Sequence, residues 1–367
     1  MPESLTIGAV IESGAPAELF AKRFNRHTFW CGQSGSGKTY ALGVVLEQIL
    51  ANTGLPIVIL DPNADFVRLG EVRPETAGTD IAMALAARDI RVLRPGGDGA
   101  DGADGAGTLR VRLASLPVPI KAAMLRLDPL VDRDEYNSLL HIEELVAKSD
   151  QRSMIERLRA SEDVTHRALA QRVENLGLLD WELWARDKTT VTEIIAERPD
   201  ATVLDLGGFR YPEERLVIAL AVLDDLWTRR EERRPVLLVI DEAHNLCSPD
   251  LDSALGRAVR EQIIRIAAEG RKYGLWLLLS TQRPSKVHPG IISQCDNLAL
   301  MKMSSPLDLA ELGSIFGYAP SALLAQSPLF SQGQALFAGG FIGEPTLVQM
   351  GARITFEGGV DVGVPLR

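Results

Sequence analysis

The chain has 367 residues, of which 46% are hydrophobic and 24% charged, and its formal net charge is −10. This composition is that of a globular protein large enough for one α/β domain with insertions, or for two modest domains. The acidic charge argues against a protein that coats DNA through a broad basic surface, so any contact with DNA is expected to be local.

The sequence shows neither a signal peptide nor a membrane-spanning segment. Its start, MPESLTIGAV, lacks a basic region, and no run of about 18 uncharged apolar residues occurs. The three cysteines, Cys31, Cys247 and Cys295, are far apart, which argues against a zinc site and for a reducing compartment. We therefore expect a cytoplasmic protein with no membrane partner.

The first element with a chemical signature is the glycine-rich loop GQSGSGKT, residues 32–39. Residues 28–31 before it are predicted to form a buried strand, and residues 40–50 after it a helix. In this context the G-x-x-x-x-G-K-[ST] pattern predicts a P-loop rather than an ordinary Gly/Ser turn. Backbone N–H groups would cradle phosphates, with Lys38 at the β- and γ-phosphates and Thr39 on Mg²⁺. The predicted nucleotide-binding residues of this region are Gly32, Gln33, Ser34, Gly35, Ser36, Gly37, Lys38, Thr39 and Tyr40.

Short apolar segments, each ending in polar or glycine residues, recur after the P-loop. Near-continuous apolar strands are expected in a parallel sheet that helices cover on both faces. Polar side chains at the carboxyl ends of such strands meet where these sheets bind ligands. The sequence therefore predicts an α/β fold with a mostly parallel sheet. The predicted strands span residues 55–60, 201–206, 236–240, 275–280 and 298–302, and residues 90–93 and 109–113 could form a further pair.

Two segments interrupt this alternation. Residues 95–107, PGGDGADGADGAG, lack an apolar anchor and are predicted to form a flexible surface loop. Residues 120–195 are predicted to form a helical insertion, in which Trp181 and Trp184 pack in a core. The predicted helices of this region span residues 136–148, 151–158 and 164–176. The predicted organisation is a short N-terminal segment (1–27), the first part of the core (28–119), the helical insertion (120–195), the second part of the core (196–350) and a C-terminal tail (351–367).

A second motif, VLLVIDEAH, specifies the chemistry. Its apolar strand delivers Asp241 and Glu242 at its end, which is typical of a Walker B element. Asp241 would hold Mg²⁺ and Glu242 would polarise the attacking water, as in an ATPase. The next strand ends in STQRPS, where Gln282 could sense the γ-phosphate. In AEGRKYG, spacing alone leaves Arg271 open as an arginine finger or as a basic residue at a helix end.

Together these motifs resemble the HerA branch of the HerA–FtsK superfamily, whose members are RecA-like, ring-forming, ATP-driven DNA translocases. The resemblance covers residues 8–350 and rests on NRHTFWCGQSGSGKT, ILDPNADF, LLVIDEAH and EGRKYGLWLLLSTQRPSKVHPGIISQCDN. It implies a RecA-like core, ATP and Mg²⁺ as cofactors, a homo-hexameric ring and double-stranded DNA as a partner. The roles that it implies are phosphate and Mg²⁺ binding for Lys38 and Thr39, Walker B for Asp241 and Glu242, sensor for Gln282, trans-acting finger for Arg271, and nucleotide proximity for Asp61 and Arg26.

The chain also departs from the family pattern. Family members often carry a small β-barrel before the P-loop, and here it is expected to be absent or reduced to a strand or two. The family's DPxGEY reads DPNADF, with Ala64 and Asp65 at the altered positions. The favoured function is a DNA translocase working with a nuclease or antiphage effector. An ATP-dependent ring scaffold for an effector and a conjugative or secretion-type ATPase are the alternatives.

Overall fold

A single twelve-stranded sheet forms the centre of the molecule. The computed structural model describes residues 3–96, 107–141, 151–185 and 188–359, without the side chains of residues 151–154. The strand order is β2-β1-β12-β11-β10-β3-β9-β8-β4-β7-β5-β6. The strands are β1 (Ser4–Val10), β2 (Pro16–Phe20), β3 (His27–Cys31), β4 (Ile57–Asp61), β5 (Ile90–Arg94), β6 (Gly107–Thr108), β7 (Ala201–Asp205), β8 (Val236–Ile240), β9 (Leu275–Thr281), β10 (Cys295–Met301), β11 (Gln334–Gly339) and β12 (Thr346–Met350).

The strands from β10 to β6 in this order pair in parallel, which confirms the predicted mostly parallel α/β fold. The remaining strands, β11, β12, β1 and β2, extend the sheet beyond β10 in antiparallel pairs. The buried strand predicted at residues 28–31 is β3, and β1 and β2 precede it. These two strands fit the expectation of a barrel reduced to a strand or two.

Helices cover both faces of the sheet. Side chains alternate between the faces along each strand, so that Phe29 and Leu238 enter one hydrophobic core while Trp30 and Val239 enter the other. The helices are α1 (Lys38–Asn52), α2 (Asp80–Ala86), α3 (Val118–Met124), α4 (Arg133–His141), α5 (Gln151–Ala160), α6 (Val164–Asn175), α7 (Val191–Ala196), α8 (Pro212–Thr228), α9 (His244–Cys247), α10 (Ala254–Glu269), α11 (Pro289–Ile292), α12 (Pro306–Ile315) and α13 (Ser321–Leu324). Within the described ranges, no helix is long and apolar enough to cross a membrane.

The predicted insertion packs into the same core as α8 and α10. Its Trp181 and Trp184 rings are buried and stacked with centroids 6.0 Å apart, as the prediction of core packing requires. Residues 90–93 were expected to pair with a strand at residues 109–113, and the position of that second strand was wrong. β5 pairs with Gly107–Thr108 instead, and Val111 forms a single bridge with Trp184. Most of the glycine- and aspartate-rich loop and the second half of the helix predicted at 136–148 lie outside the described residues.

The described part of the C-terminal segment, residues 351–359, packs against α1. Glu47 on α1 accepts hydrogen bonds from the backbone N–H groups of Ile354 and Thr355, at 2.9 and 2.7 Å. The Arg353 side chain is fully buried, and its backbone N–H donates to the Tyr40 hydroxyl at 2.7 Å. Gly358 N–H donates to the Asp65 carbonyl at 3.0 Å. The segment therefore joins the P-loop helix to the turn that follows β4.

Candidate nucleotide-binding and hydrolysis site

The loop after β3 has the backbone of a phosphate cradle. Gly35 and Gly37 have φ values of 76° and 86°, in the region that favours glycine. Gly37 is the N-cap of α1, so the positive end of that helix faces the loop. Ser34 and Gly35 are exposed at the tip, whereas Lys38 is buried. This backbone geometry is compatible with phosphate binding by residues 32–39, which stays a prediction.

The amino group of Lys38 lies among three side chains of the neighbouring strand ends. Its Nζ is 3.1 Å from Asp241 Oδ1, 3.1 Å from Glu242 Oε1 and 2.9 Å from Ser280 Oγ. Burial alone would lower the pKa of Lys38, but the adjacent Asp241 and Glu242 carboxylates outweigh it and raise that pKa. Lys38 is therefore a fixed positive charge at the carboxyl ends of β8 and β9.

Three carboxylates form an acidic cluster next to this lysine. One oxygen each of Asp61, Asp65 and Asp241 lies within 4.8 Å of the others. Burial, followed by the charge of Asp241, raises the pKa of Asp65 to about 6. Burial also raises the pKa of Asp61 to about 7, against hydrogen bonds from the Phe66 and Asp65 N–H groups. Asp241 Oδ2 is buried with no hydrogen-bond partner among the described residues. A hard divalent cation fits this oxygen-only donor set.

The carboxylates of the cluster differ in the hydrogen bonds that they make within the protein. The Asp61 carboxylate accepts hydrogen bonds from the backbone N–H groups of Asp65, at 3.0 Å, and Phe66, at 2.8 Å. It therefore also stabilises the turn after β4. Asp65 Oδ2 lies 3.4 Å from Thr39 Oγ1, the predicted magnesium-binding hydroxyl. Sequence reasoning named Thr39, Asp241 and Asp61 but treated Asp65 only as a departure from a family motif.

Glu242 occupies an unusual backbone conformation directly after Asp241. Its φ is +44°, which is costly for a residue with a side chain and is common at functional sites. Burial would raise the pKa of Glu242, but His244 and Lys38 lower it to about 2, so the side chain is a carboxylate at neutral pH. Its Oε2 makes no hydrogen bond of ordinary geometry within the described residues.

The sequence analysis did not identify two side chains that contact Glu242 or Lys38. His244 Nδ1 lies 3.2 Å from Glu242 Oε2 and 3.1 Å from Thr281 Oγ1. Ser280 supplies the hydroxyl on Lys38. The signal for His244 was its place three residues after Asp241 in VLLVIDEAH, and the signal for Ser280 was the polar end of β9. Gln282, the predicted sensor, follows β9 directly and is half-buried.

Two further predicted residues lie elsewhere. Arg26 precedes β3 and Arg271 precedes β9, so both lie at the amino-terminal edge of the parallel strands, away from the P-loop. They line an open cleft of about 410 Å³ with Lys272 and Trp276. Asp296 pairs with Arg271 and lies 3.9 Å from Arg26 Nε. Within one chain, therefore, the structure does not bring Arg26 or Arg271 to the predicted nucleotide.

Tyr40 is the last of the predicted nucleotide contacts. It is half-buried on α1, and its hydroxyl accepts the Arg353 N–H. Gln33, at the other end of the loop, accepts the Ser304 N–H at 3.1 Å through its side chain. Both side chains thus connect the P-loop region to the segments that surround it.

Comparisons with known proteins find similarity over most of this chain. Residues 5–226 match the family model described as the central domain of the helicase HerA. A probable helicase of Methanocaldococcus jannaschii is 23% identical over 98% of this chain and 72% of its own length. The DNA double-strand break repair helicase HerA of Sulfurisphaera tokodaii is 32% identical, but over only 32% of this chain and 23% of that protein. VirB4 of Thermoanaerobacter pseudethanolicus has the same fold, with a TM-score of 0.60 and 15% identity over 96% of this chain and 97% of its own.

Proposed function

This chain belongs to the HerA family of P-loop ATPases within the HerA–FtsK superfamily, and we propose that it hydrolyses ATP to move duplex DNA as a ring of identical subunits. The observation that carries this proposal is the arrangement of Lys38, Asp241 and Glu242 around one point at the carboxyl ends of β3 and β8. This is the set of groups that phosphoryl transfer to water needs: a cation for the phosphates, a ligand for a metal, and a base for water.

The roles follow from the contacts. Lys38 exchanges its carboxylate neighbours for the β- and γ-phosphate oxygens, which attract the same ammonium group. Glu242 Oε1 faces Lys38 and leaves the buried Oε2 to accept a proton from the attacking water. Because its pKa is about 2, this carboxylate is charged throughout the neutral range. Gln282, next to Thr281, would report the state of the γ-phosphate to the loop that follows.

Thr39, Asp241 and Asp65 would hold Mg²⁺, with Asp61 supporting the turn that positions Asp65. When bound, Mg²⁺ would neutralise charge on the β- and γ-phosphate oxygens. The Thr39 hydroxyl and the buried Asp241 Oδ2 supply the oxygen ligands that this ion prefers.

The proposal of a ring rests on the separation of the two basic groups. Lys38 lies at the carboxyl edge of the sheet, whereas Arg26, Arg271 and Lys272 line a cleft at the amino edge. In a head-to-tail ring the amino edge of one subunit can face the nucleotide of the next. Arg271 would then stabilise the charge that develops on the transferred phosphoryl group of its neighbour.

The proposed contacts with DNA come from a few loops that face the ring's pore. The net charge of −10 disfavours a broad basic surface, whereas Arg283 and Lys286 are exposed on the loop that begins at the end of β9. We also infer a partner enzyme, a nuclease or an antiphage effector, since a motor moves DNA without changing its covalent structure. Co-purification with the product of a neighbouring gene tests that part.

The ATPase rate in the presence of long duplex DNA tests the function. We expect Mg²⁺-dependent hydrolysis that DNA stimulates at low salt, with a shallow salt dependence corresponding to a few counterions per subunit. The acidic charge favours one second candidate, a ring scaffold that ATP assembles around an effector. ATP-dependent assembly without DNA binding or stimulation at low salt would establish the scaffold and contradict the translocase.

A further inference from the structure

The imidazole of His244 lies between the proposed base and the strand beside it. Its Nδ1 is 3.2 Å from Glu242 Oε2 and 3.1 Å from Thr281 Oγ1. The His244 side chain is 14% exposed and that of Glu242 is 10% exposed, so water screens their interaction weakly. A carboxylate beside Nδ1 favours the tautomer that carries its proton on that nitrogen. His244 Nδ1 therefore lies within reach of both oxygens, with hydrogen-bond geometry towards Thr281 Oγ1 and a short distance to Glu242 Oε2.

Thr281 connects this histidine to the P-loop and to the loop after β9. The Thr281 carbonyl accepts the Gly32 N–H at 3.3 Å, at the first residue of the P-loop. The Thr281 hydroxyl accepts the Arg283 N–H at 3.0 Å. A displacement of Thr281 would thus change both the phosphate cradle and the start of residues 282–288, the segment that we name the β9 loop.

The segment that follows Glu242 also holds the β9 loop farther along. The Cys247 carbonyl accepts the His288 N–H at 2.8 Å, and Asp250 pairs with Lys286 at 2.7 Å. Residues 244–250 therefore contact Thr281, directly before the β9 loop, and the loop itself at Lys286 and at His288. Of these contacts, the one with Thr281 is made by the His244 side chain, which also lies beside Glu242.

We propose that His244 is a positioning residue that orients Glu242 for the attack of water and couples it, through Thr281, to the β9 loop. This proposal rests on the proposed role of Glu242 as the base. In it, Lys38 contacts one carboxylate oxygen and His244 Nδ1 lies 3.2 Å from the other, which keeps a free lone pair for the proton of water, so that Glu242 with its costly φ is held in one arrangement. When DNA binding shifts the β9 loop, the position of Glu242 changes with it, because His244 Nδ1 contacts both Thr281 and Glu242.

Three substitutions at this position separate positioning from packing. Asparagine places an N–H donor near the position of Nδ1, glutamine places one near Nε2, and alanine supplies neither. His244→Ala should lower kcat by about 10²-fold, the order expected for a misplaced catalytic group, with the KM for ATP nearly unchanged. His244→Asn should recover most of that loss and His244→Gln should not. His141→Ala, at an exposed histidine in the insertion whose Nδ1 hydrogen-bonds to the Asn137 carbonyl on the same helix, is the matched control and should behave as wild type.

The link to the β9 loop has its own measurement. Thr281→Val removes the hydroxyl at nearly constant volume, and Thr281→Ser keeps it. If His244 and Thr281 act as one unit, the double variant His244→Ala, Thr281→Val should lose no more in kcat than His244→Ala alone, and each single variant should lose DNA stimulation. Additive losses, or full DNA stimulation of His244→Ala, would show that the coupling is absent.

Glu242→Gln, measured in parallel, distinguishes a failure of the positioning role of His244 from a failure of the proposed function. If Glu242→Gln abolishes turnover while His244→Ala retains wild-type kcat, the positioning role is wrong and the proposed function stands. Equal activity of the asparagine and glutamine variants would likewise overturn the assignment to Nδ1. If Glu242→Gln itself turns over normally, the base has been misassigned, and the proposed hydrolysis mechanism fails with it.

Discussion

Arg271 forms an ion pair with Asp296 at the amino edge of the parallel sheet, the edge opposite to the one that carries Lys38. Between Arg26 and Gly32 the chain crosses the whole sheet along β3, a distance of about 20 Å for six residues of extended backbone. Neither Arg26 nor Arg271 can therefore share a phosphate with Lys38 of the same chain. Any joint action of these groups requires a second copy of the molecule.

Replacing Glu242 should separate nucleotide binding from hydrolysis. Glu242→Gln keeps the shape of the side chain but removes the carboxylate that takes the proton from water, so turnover should fall by about 10²-fold or more. Binding of a fluorescent ATP analogue should persist. Lys38→Ala, by contrast, should weaken that binding because the charge on the β- and γ-phosphates is lost. Normal turnover by Glu242→Gln would show that another residue activates the water.

Asp65 should contribute to the affinity for Mg²⁺. Asp65→Asn removes one negative charge beside Thr39 and Asp241, so half-maximal hydrolysis should require several-fold more Mg²⁺. Asn63→Ala changes an exposed side chain of the same turn and serves as the control. A titration of the ATPase rate with Mg²⁺ at saturating ATP measures both. An unchanged midpoint for Asp65→Asn would restrict the metal ligands to Thr39 and Asp241.

The predictable part of the site lies within contiguous motifs. The P-loop and Walker B motifs each specify a strand, a turn and a side-chain role within a few residues, because the chemistry depends on local backbone geometry. The mostly parallel sheet followed from apolar segments that are buried on both faces. Because parallel strands end at the same edge of a sheet, these segments also predicted that Asp241 and Glu242 lie near Lys38.

The unpredicted part depends on contacts between residues distant in sequence. His244 acquires its role from Thr281, 37 positions away, and nothing in the local pattern reports that meeting. Ala64 shows the converse: its φ is 59°, which explains why the family motif has glycine there, yet the sequence could show only the substitution. The β1–β2 extension was expected only as a barrel that is absent or reduced to a strand or two, and its bounds were not predicted, since this antiparallel edge has β12, the last strand of the described residues, as its partner.

Gly43 should be intolerant of alanine although it lies within α1. A Cβ at this position would lie 2.5 Å from Arg353 Nε, and the Arg353 side chain is buried beside Glu47 with little room to move. Helix propensity alone would make Gly43→Ala stabilising by about 1 kcal/mol. We expect destabilisation instead, by about 1 to 3 kcal/mol, because the clash forces a packed side chain to shift. Urea denaturation measures the sign, and a more stable variant would show that Arg353 can move away.

His27 should make the fold sensitive to mild acid. Its Nε2 donates to the Ala267 carbonyl at 3.0 Å and its Nδ1 accepts the Leu277 N–H at 2.9 Å, so protonation would leave two donors facing each other. Burial, followed by the positive charge of Arg271, lowers the pKa of His27 to about 4. Because the unfolded state binds the proton more readily, stability is lost as the pH falls from about 6.5 towards about 4, by up to about 3 kcal/mol in total.

Comparison with a variant separates the contribution of His27 to the pH dependence of stability from the contribution of the carboxylates. His27→Gln retains a donor for Ala267 but cannot be protonated, so its free energy of unfolding should be lower at pH 7 and should fall less between pH 7 and pH 4.5. Urea unfolding at the two pH values gives both differences. Equal pH dependence in the two proteins would show that His27 keeps an ordinary pKa in the fold.

Arg271 should act on the nucleotide of a neighbouring subunit. An arginine finger stabilises charge on the transferred phosphoryl group and contributes about 10³- to 10⁵-fold in rate. Arg271→Ala should therefore bind ATP and hydrolyse it poorly, and Lys38→Ala should be inactive through the opposite side of the same interface. When subunits of the two variants exchange, some interfaces contain an intact Lys38 facing an intact Arg271. Part of the activity should return in the mixture and in neither variant alone.

Two controls make this test decisive. Lys272 is exposed beside Arg271 and pairs with Glu269, so Lys272→Ala shows whether the neighbouring cation is the group that acts. Asp296→Asn removes the partner that holds Arg271 within its own chain, and it should leave hydrolysis largely intact, since the finger must leave Asp296 to reach a phosphate. If subunit exchange is confirmed by fluorescence and the mixture of Arg271→Ala with Lys38→Ala stays inactive, the pairing across the interface is wrong. Full activity of Arg271→Ala alone would make this residue a helix-end cation, held by Asp296 for structure rather than for catalysis.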